Sequence, residues 1–424
     1  MLALNLALED ESMKFGIFYE HQLPRPWKED SEHKLFKQSL DQIELADKLG
    51  YDYAWQVEHH FLEEYSHSSA PEVFLAAASQ RTKNIRLGHG IIQLTTNHPA
   101  RVAEKVSTLD LISDGRVELG LGEGASVTEL HPFNLRFRDK RDVWEDGIKC
   151  LLPMFYNHGW EYDGEFFKFP LRAVLPKPFQ KPHPPLWVAC SQLDTIRYAA
   201  HRGMGALSFK FVDLAASRAW VNAYYNTFVN DQEKLCDYQT NPNIAVVSGF
   251  MCCETDEEAW QKADGWTFFQ FALQLYSKEG PFEPGTVDFW ERYQEWKLTP
   301  AGQKRSGSEL IGSPDTIRER LRELDTANVD QVILLNQAGK NTHEDICSSL
   351  QLFADEIMPE FHAREDEHQQ WKQAVLNGEI VLEEIDTDPF NFKARGAPTK
   401  KSSKDERNRN MVAGVVGRPE SQSL

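Results

Sequence analysis

The chain has 424 residues, of which 41% are hydrophobic and 26% are charged, a balance that is typical of a globular protein and excludes a largely disordered one. Its net charge of −19 argues against broad binding to nucleic acid or to an anionic membrane surface, because either partner would be repelled. No apolar run approaches the length of a membrane span, so we expect a soluble protein without nucleic-acid or membrane partners. The length allows one large α/β domain with additions, or two ordinary domains.

Strand-like and helix-like segments alternate along most of the chain. The predicted strands cover residues 14–20, 51–57, 85–91, 116–121, 185–190, 206–209, 244–250 and 331–335. The predicted helices cover residues 35–50, 72–81, 102–111, 141–155, 195–202, 215–228, 257–275, 314–326 and 344–358, and Gly50 suits the cap of the first. Eight strands with intervening helices predict an α/β fold of the (β/α)8 TIM barrel type.

Additions to the barrel are expected at both ends and at two interruptions. Residues 1–12 form an N-terminal extension, residues 13–362 the barrel, and residues 363–385 a helical or irregular extension. From residue 386 to 424, Pro, Gly, Ser, Lys and Arg replace apolar periodicity, which predicts a disordered C-terminal tail. The insertions span residues 157–184 and 277–308, and the second is either a helical elaboration whose aromatic rings pack on the barrel or a lid.

Six cysteines are present, at positions 150, 190, 236, 252, 253 and 347. They include no Cys-x-x-Cys pair or other zinc spacing, and they are sparse for a disulfide framework. This usage favours a reducing, cytoplasmic setting.

The first candidate site follows the second predicted strand, where residues 51–57 lead into Glu58, His59, His60 and Phe61. Barrel enzymes carry their active residues at the carboxyl ends of strands, so this position supports a functional histidine about as well as a structural one. Adjacent strand residues point to opposite faces, and alternation along the strand groups His59 with Trp55. A metal site is less favoured, because no His-Glu-x-x-His or His-x-His pattern completes a coordination shell.

Two further strand ends carry residues suited to ligand binding. Gly120, Gly122 and Gly124 follow the fourth strand, where they either let the backbone approach a flat or anionic ligand or form a turn that needs positive φ. Their spacing is Gly-x-Gly-x-Gly, which differs from the dinucleotide fingerprint. The fifth strand runs through residues 191–192 into a helix near Thr195, and this helix start is either a phosphate site or an ordinary N-cap.

Taken together, eight segments resemble the bacterial luciferase-like family of flavin-dependent monooxygenases. They cover residues 13–19, 50–61, 85–92, 98–101, 109–124, 187–203, 312–317 and 352–359, and the resemblance extends in consistent order from about residue 13 to 358. It implies a (β/α)8 barrel that holds reduced FMN at the carboxyl ends of its strands. The implied catalytic residue is His59, and the implied cofactor-binding residues are Gly90, Ile91, Gly122, Glu123, Gly124, Ser191, Gln192 and Thr195.

One position departs from the family pattern. Many members carry an arginine in the loop after the fourth strand, whereas this chain has Glu123. A carboxylate would repel a phosphate at contact distance, so phosphate binding falls to the helix start at Ser191 and to an arginine elsewhere, with Arg141 as a candidate. Glu123 would then face the ring system or the substrate, or pair with a basic residue.

The resemblance also implies the reaction. Reduced FMN would react with O2 to give a flavin hydroperoxide, which delivers one oxygen to a small organic substrate while His59 acts as general base or hydrogen-bond partner. A separate flavin reductase would supply the reduced cofactor, since the chain lacks a dinucleotide fingerprint, and the family implies a homodimer. The alternatives are an F420-dependent hydride-transfer oxidoreductase, a catalytically silent flavin-binding protein, and a metal-dependent barrel hydrolase.

Overall fold

A closed ring of eight parallel strands forms the centre of the computed structural model, which describes residues 13–208, 214–303 and 309–386. The strands of the described residues are β1 (Lys14–Tyr19), β2 (Tyr53–Gln56), β3 (Arg86–Gln93), β4 (Val117–Gly122), β5 (Trp160–Asp163), β6 (Lys168–Arg172), β7 (Leu186–Cys190), β8 (Gly205–Ser208), β9 (Ile244–Cys252), β10 (Leu310–Gly312) and β11 (Gln331–Gln337). The ring runs β1-β2-β3-β4-β7-β8-β9-β11 and closes where β11 pairs with β1. The predicted TIM barrel is confirmed.

Helices follow the barrel strands in the alternating order that the sequence predicts. They are α1 (Ser31–Leu49), α2 (Pro71–Ser79), α3 (Pro99–Ile112), α4 (Val127–Leu130), α5 (Lys140–Leu151), α6 (Pro153–Tyr156), α7 (Leu193–His201), α8 (Leu214–Asn230), α9 (Asp256–Lys262), α10 (Asp264–Glu279), α11 (Phe289–Trp296), α12 (Pro314–Thr326), α13 (His343–Glu356), α14 (Met358–His362) and α15 (Glu365–Leu376). Gly50 ends α1 with φ of 87°, which confirms the predicted cap.

All eight predicted barrel strands are present, with boundaries that differ by one or two residues at most ends. Phe209, the last residue of the sixth predicted strand, lies outside the described residues, as do residues 1–12 and 387–424, which hold the predicted N-terminal extension and nearly all of the predicted tail. No described helix is both long and apolar enough to cross a membrane.

The barrel interior is filled by two tryptophans that glycines on neighbouring strands accommodate. The rings of Trp55 on β2 and Trp187 on β7 meet edge to face, with centroids 5.4 Å apart. A Cβ atom at Gly88 would lie 2.1 Å from the Trp55 ring, and one at Gly205 would lie 2.5 Å from the Trp187 ring. The bulky rings therefore require glycine on the adjacent strand, and they make the interior a packed core.

The two predicted insertions have different structures. The first contains an antiparallel hairpin, β5 and β6, which sequence patterning did not predict. The second corresponds to the helical alternative, because α10 extends to Glu279 and α11 packs Tyr293 and Trp296 against Phe271. Residues 304–308, the end of this insertion, lie outside the described residues.

The helix α15 covers the end of the barrel where the strands begin. Asp330, directly before β11, is 5% exposed and accepts hydrogen bonds from His368 Nε2 at 2.9 Å and Tyr225 Oη at 2.8 Å. Lys372 Nζ forms an ion pair with the same carboxylate at 3.1 Å, and the Ile244 N–H donates to it at 2.7 Å. We call these five residues the floor cluster, and they join α8, α15, β9 and β11.

Candidate active site

His59 lies in the loop after β2, at the end of the barrel where the strands finish. Because β2 ends at Gln56, three residues earlier, His59 is not part of the strand, and the alternation of side chains along a strand does not group it with Trp55 as predicted. The loop is instead fixed by hydrogen bonds: the His59 N–H donates to the Ser68 carbonyl at 2.8 Å, and the Ser68 hydroxyl donates to the Val57 carbonyl at 2.6 Å. The loop thus holds His59 at the mouth of the barrel.

The imidazole of His59 lies between two buried carboxyl groups. Its Nδ1 is 2.8 Å from Glu129 Oε1, and its Nε2 is 3.6 Å from Glu20 Oε2. The Tyr65 ring meets the imidazole edge to face, with centroids 5.5 Å apart. We call His59, Glu20, Glu129 and Tyr65 the mouth cluster.

Glu129, in the short helix α4, is fully buried and saturated with donors. It accepts hydrogen bonds from Gln93 Nε2 at 2.7 Å, from the Ser126 hydroxyl at 2.9 Å and from the His60 N–H at 3.3 Å, in addition to the contact with His59. Burial raises the pKa of Glu129, but the charge of His59 and these bonds outweigh it and hold the pKa below its usual value. Glu129 is therefore an ionised carboxylate that fixes the orientation of His59.

Glu20 follows β1 and is 2% exposed, yet it has few donors. Its Oε1 accepts from the Tyr65 hydroxyl at 3.3 Å, while Oε2 has no hydrogen-bond partner among the described residues. Burial raises the pKa of Glu20 to about 7, although His59 and the bond from Tyr65 oppose the shift.

These two carboxyl groups set the charge of His59. Burial lowers the pKa of the imidazole, but Glu129 and Glu20 outweigh burial and raise it to about 9. This shift favours the imidazolium form at neutral pH, in which both ring nitrogens carry N–H groups. In the free protein His59 can therefore donate a proton or a hydrogen bond, and it becomes a base only after it has released a proton.

The neighbouring pair Glu58 and His60 supports this arrangement. His60 Nε2 lies 2.9 Å from Glu58 Oε1, which also accepts from Asn97 Nδ2 at 2.9 Å. The other oxygen of Glu58 accepts from the Gln93 N–H at 2.9 Å. Because the side chain of Gln93 donates to Glu129, both glutamates belong to one hydrogen-bond network.

The predicted flavin-contacting glycines lie beside this network. Gly90 and Ile91 occupy a register shift between β3 and β4, and a Cβ at Gly90 would lie 3.2 Å from the Gln56 carbonyl. Gly124 has φ of 78°, so the turn interpretation is confirmed at that position, and its ideal Cβ would lie 3.1 Å from Gln93 Oε1. A Cβ at Gly122 would lie 3.0 Å from the Ile91 side chain.

Glu123 pairs with two basic residues, as one of the sequence alternatives expects. Its carboxylate forms an ion pair with the Arg141 guanidinium, and its other oxygen lies 3.3 Å from Lys140 Nζ. The Arg141 guanidinium lies 4.1 Å from the ring centroid of Tyr198, which belongs to α7. The loop after β4 is thereby joined to the helix that follows β7.

The predicted residues at the start of α7 form a local cap. The Gln192 N–H donates to the Thr195 hydroxyl at 3.1 Å, and that hydroxyl donates to the Gln192 carbonyl at 2.6 Å. The side chains of Ser191 and Gln192 are exposed at this end of the helix. The start of α7 is therefore capped by its own residues, and the exposed side chains of Ser191 and Gln192 lie at the N-terminal end of the helix that carries Tyr198.

The second insertion contacts the loop that carries His59. Glu64 in that loop accepts hydrogen bonds at the start of α11, from the Phe289 N–H at 2.7 Å and the Trp290 N–H at 3.2 Å. Tyr65 also stacks on Phe269 of α10, with centroids 5.6 Å apart. Helices α10 and α11 therefore cover the mouth cluster on one side.

The structure brings the predicted residues together in two groups. In the first, His59 is linked to Gln93 through Glu129, and in the second, Glu123 is linked to α7 through Arg141. Sequence reasoning missed Glu20, Tyr65 and Glu129. Two signals were available: Glu20 directly follows a strand, as His59 does, and Ser126 to Glu129 has the Ser-x-x-Glu spacing of a capping box.

Known proteins share both the sequence pattern and the fold. The chain is 24% identical over 360 residues to the oxygenase component of a flavin-dependent trigonelline monooxygenase from Acinetobacter baylyi, covering 82% of this chain and 96% of that protein. A solved structure of the oxygenating constituent of 3,6-diketocamphane monooxygenase from Pseudomonas putida, in complex with FMN, is similar with a TM-score of 0.67 at 20% identity, covering 82% of this chain and 99% of that one.

A coenzyme F420 dependent tetrahydromethanopterin reductase from Methanopyrus kandleri shares the fold as well, with a TM-score of 0.57 at 20% identity and coverage of 82% and 99%. These neighbours include flavin-dependent and F420-dependent proteins, and at such identities the structures show the fold alone. The profile of one family, described as luciferase-like monooxygenase, matches residues 13–331. Since that match covers well over half of the sequence, the chain belongs to the luciferase-like monooxygenase family.

Proposed function

We propose that the chain is a monooxygenase that uses reduced FMN and O2 to oxygenate a small organic substrate. The observation that carries this proposal is the placement of the His59 imidazole between the carboxyl groups of Glu129 and Glu20, at the carboxyl ends of the barrel strands. A proton donor at this place suits a reaction in which negative charge develops on oxygen. The flavin-dependent relative and the FMN-bound structure support the choice of cofactor.

The residues on the far side of the mouth fit the phosphate of FMN. Arg141 and Lys140 supply two cations against the single carboxylate of Glu123, and the exposed start of α7 adds N–H donors. The glycines at 90 and 122 let β3 and β4 pack closely against Gln56 and Ile91, which fixes the backbone at the strand ends where we place the flavin ring system. In this arrangement Glu123 occupies the cations until phosphate displaces it.

When bound, reduced FMN supplies the activation of O2, and the protein supplies orientation, a proton and exclusion of water. The Nε2–H of His59 donates to an oxygen of the reacting complex, while Glu129 at Nδ1 keeps the ring oriented. Tyr65 and Phe269 form an apolar layer, continued by Trp266, whose ring is 5.8 Å from that of Phe269. This layer excludes water from the side of the site that α10 covers.

Two partners are part of the proposal. A separate flavin reductase delivers the reduced cofactor, in keeping with a relative that is named as an oxygenase component. The protein acts as a homodimer.

A second candidate is F420-dependent hydride transfer, which the similarity to the tetrahydromethanopterin reductase favours. This reaction needs no O2 and no proton delivery to oxygen. Titration of the purified protein with FMN and with F420, followed by absorbance, separates the two candidates because each cofactor has its own spectrum. Tight binding of F420 alone would replace the monooxygenase proposal.

The decisive experiment is anaerobic binding of reduced FMN followed by admission of O2. We expect a long-lived absorbance that differs from those of reduced and oxidised FMN, because a site that excludes water would make bound reduced FMN react with O2 differently from the free cofactor. The His59→Gln variant serves as a comparison, and free FMN as the control. Reoxidation of bound FMN at the rate of free FMN, across pH and temperature, would contradict the proposal.

A further inference from the structure

Glu20 is a buried carboxyl group with an unmet hydrogen-bonding capacity. Buried carboxyl oxygens are usually saturated with donors, as those of Glu129 are. Glu20, although 2% exposed, accepts one bond from Tyr65 at 3.3 Å, and its Oε2 has no hydrogen-bond partner among the described residues. Such a group costs folding free energy, which suggests that a functional requirement keeps it.

The unsatisfied oxygen faces the one ring nitrogen of His59 that Glu129 does not contact. The distance from Glu20 Oε2 to His59 Nε2 is 3.6 Å, which is beyond hydrogen-bond range but well within range for charge attraction. Glu20 can therefore stabilise the charge of the imidazolium without accepting its Nε2–H. The proton stays available to a reactant.

We infer that Glu20 is a positioning residue for His59, whose carboxylate keeps the imidazole protonated and its Nε2–H ready for donation. The inference rests on the proposed function only where activity is measured. The other groups that face this pair are Glu129 from α4 and, from the loop after β2, Tyr65 and Glu58. Glu129 fixes the ring, whereas Glu20 acts on the nitrogen that would reach the reactant.

The pair has a defined working range of pH. The pKa of Glu20 is raised to about 7 and that of His59 to about 9, so between these values Glu20 is ionised while His59 is protonated. In this range removal of the Glu20 charge should favour the neutral imidazole. The substitution Glu20→Gln keeps the side-chain size but removes the charge, and Glu20→Asp keeps the charge but moves it away.

The test is NMR titration of the protein with isotope-labelled histidine, with the His59 signal identified by its absence in His59→Gln. We expect Glu20→Gln to lower the midpoint of His59 by about one pH unit and Glu20→Asp to give a smaller shift. The control Glu64→Gln removes a buried carboxylate that caps α11, and its His59 midpoint should equal that of the wild type. An unchanged midpoint in folded Glu20→Gln would overturn the inference, as would an equal shift in Glu64→Gln.

The pH profile of turnover with reduced FMN gives a second measurement. In Glu20→Gln its alkaline limb should move to lower pH by the same amount as the His59 midpoint in the NMR titration. If Glu20→Gln does not fold, the Glu20→Asp titration decides the inference, because a midpoint identical to that of the wild type would refute it. A shifted midpoint in a protein that does not oxygenate any substrate would overturn the proposed function and leave the inference on His59 intact.

Discussion

The mouth cluster and the floor cluster both place a histidine against a buried carboxylate, at opposite ends of one barrel. In the floor cluster, Asp330 accepts from two side chains and a backbone N–H and is paired with Lys372. In the mouth cluster, Glu20 accepts one long bond from Tyr65, and its other oxygen has no hydrogen-bond partner among the described residues. Both carboxyl groups are buried, so the difference lies in the number of donors.

The hydrogen-bond donors and cations around Asp330 and Glu20 account for the difference between their pKa values. Burial raises the pKa of Asp330, but Lys372, His368 and the bond from Ile244 outweigh burial and lower it to about 2. At Glu20 burial prevails, and the pKa rises to about 7. The saturated Asp330 at the start of the strands therefore serves stability, whereas the unsaturated Glu20 at their ends has a pKa close to neutral pH.

The largest expected effect comes from removing the carboxylate of Asp330 from the floor cluster. The substitution Asp330→Ala leaves Lys372 and His368 buried without their carboxylate, and we expect the free energy of unfolding to fall by about 3–5 kcal/mol in urea titrations. The mouth lies at the other end of the barrel, so the folded fraction should still bind reduced FMN with unchanged affinity. The double variant Asp330→Ala/Lys372→Met should recover part of the loss. A stability equal to that of the wild type would contradict the structural role of the floor.

In the mouth cluster, in contrast to the floor cluster, we expect a substitution to reduce activity more than stability. We expect His59→Ala to lower product formation with saturating reduced FMN by a factor of about 100 or more, because the positioned proton donor is lost. Its thermal stability should change less than that of Asp330→Ala. The matched control is His60→Gln, since His60 bonds Glu58 and lies outside the pair of carboxyl groups around His59. Equal losses in both variants would remove the special role of His59.

Glu123 is a third carboxylate for comparison. Like Asp330 it is fully paired, but its partners are Arg141 and Lys140, the cations that we propose for the cofactor phosphate. In Glu123→Gln these cations become available, and we expect FMN to bind about tenfold more tightly, or 1.4 kcal/mol in binding free energy. Riboflavin, which lacks the phosphate, should bind as it does to the wild type in the same fluorescence titration. Arg141→Met should weaken FMN binding and leave riboflavin unaffected. A parallel change for both ligands would place the phosphate elsewhere.

The barrel could be predicted from sequence because each strand and its following helix are local patterns. His59 could be found for the same reason, as it follows a strand by a few residues. Glu129 is 70 residues from His59 in the chain, and its role depends on how β2 and β4 lie around the closed ring. Neither alternation nor spacing contains that information.

The floor cluster could not be predicted from the sequence for a similar reason. Asp330 and Lys372 belong to a strand start and to a helix beyond the barrel, and nothing local marks them as partners. Glu123 is an intermediate case, because the sequence raised the possibility of a basic partner but left its identity open among Arg141 and others. Long-range charge pairing follows from the fold, so it becomes predictable only after the topology is known.

The smallest expected effect distinguishes the two clusters by the pH dependence of stability. The pKa of His59 in the folded protein is raised to about 9 from 6.5, so its contribution is complete below pH 6.5 and is lost as the pH rises to about 9. The pKa of Asp330 is lowered to about 2 from 3.8, so its contribution is present above pH 3.8 and is lost as the pH falls toward 2. The free energies of unfolding of the wild type and of His59→Gln, measured in urea, should therefore converge as the pH rises from 6.5 to 9. Those of the wild type and Asp330→Ala should stay separated over that range and converge only in acid. Convergence of both pairs between pH 6.5 and 9 would mean that the stabilising effect of Asp330 is also lost in this range, and the contrast between the two ends of the barrel would fail.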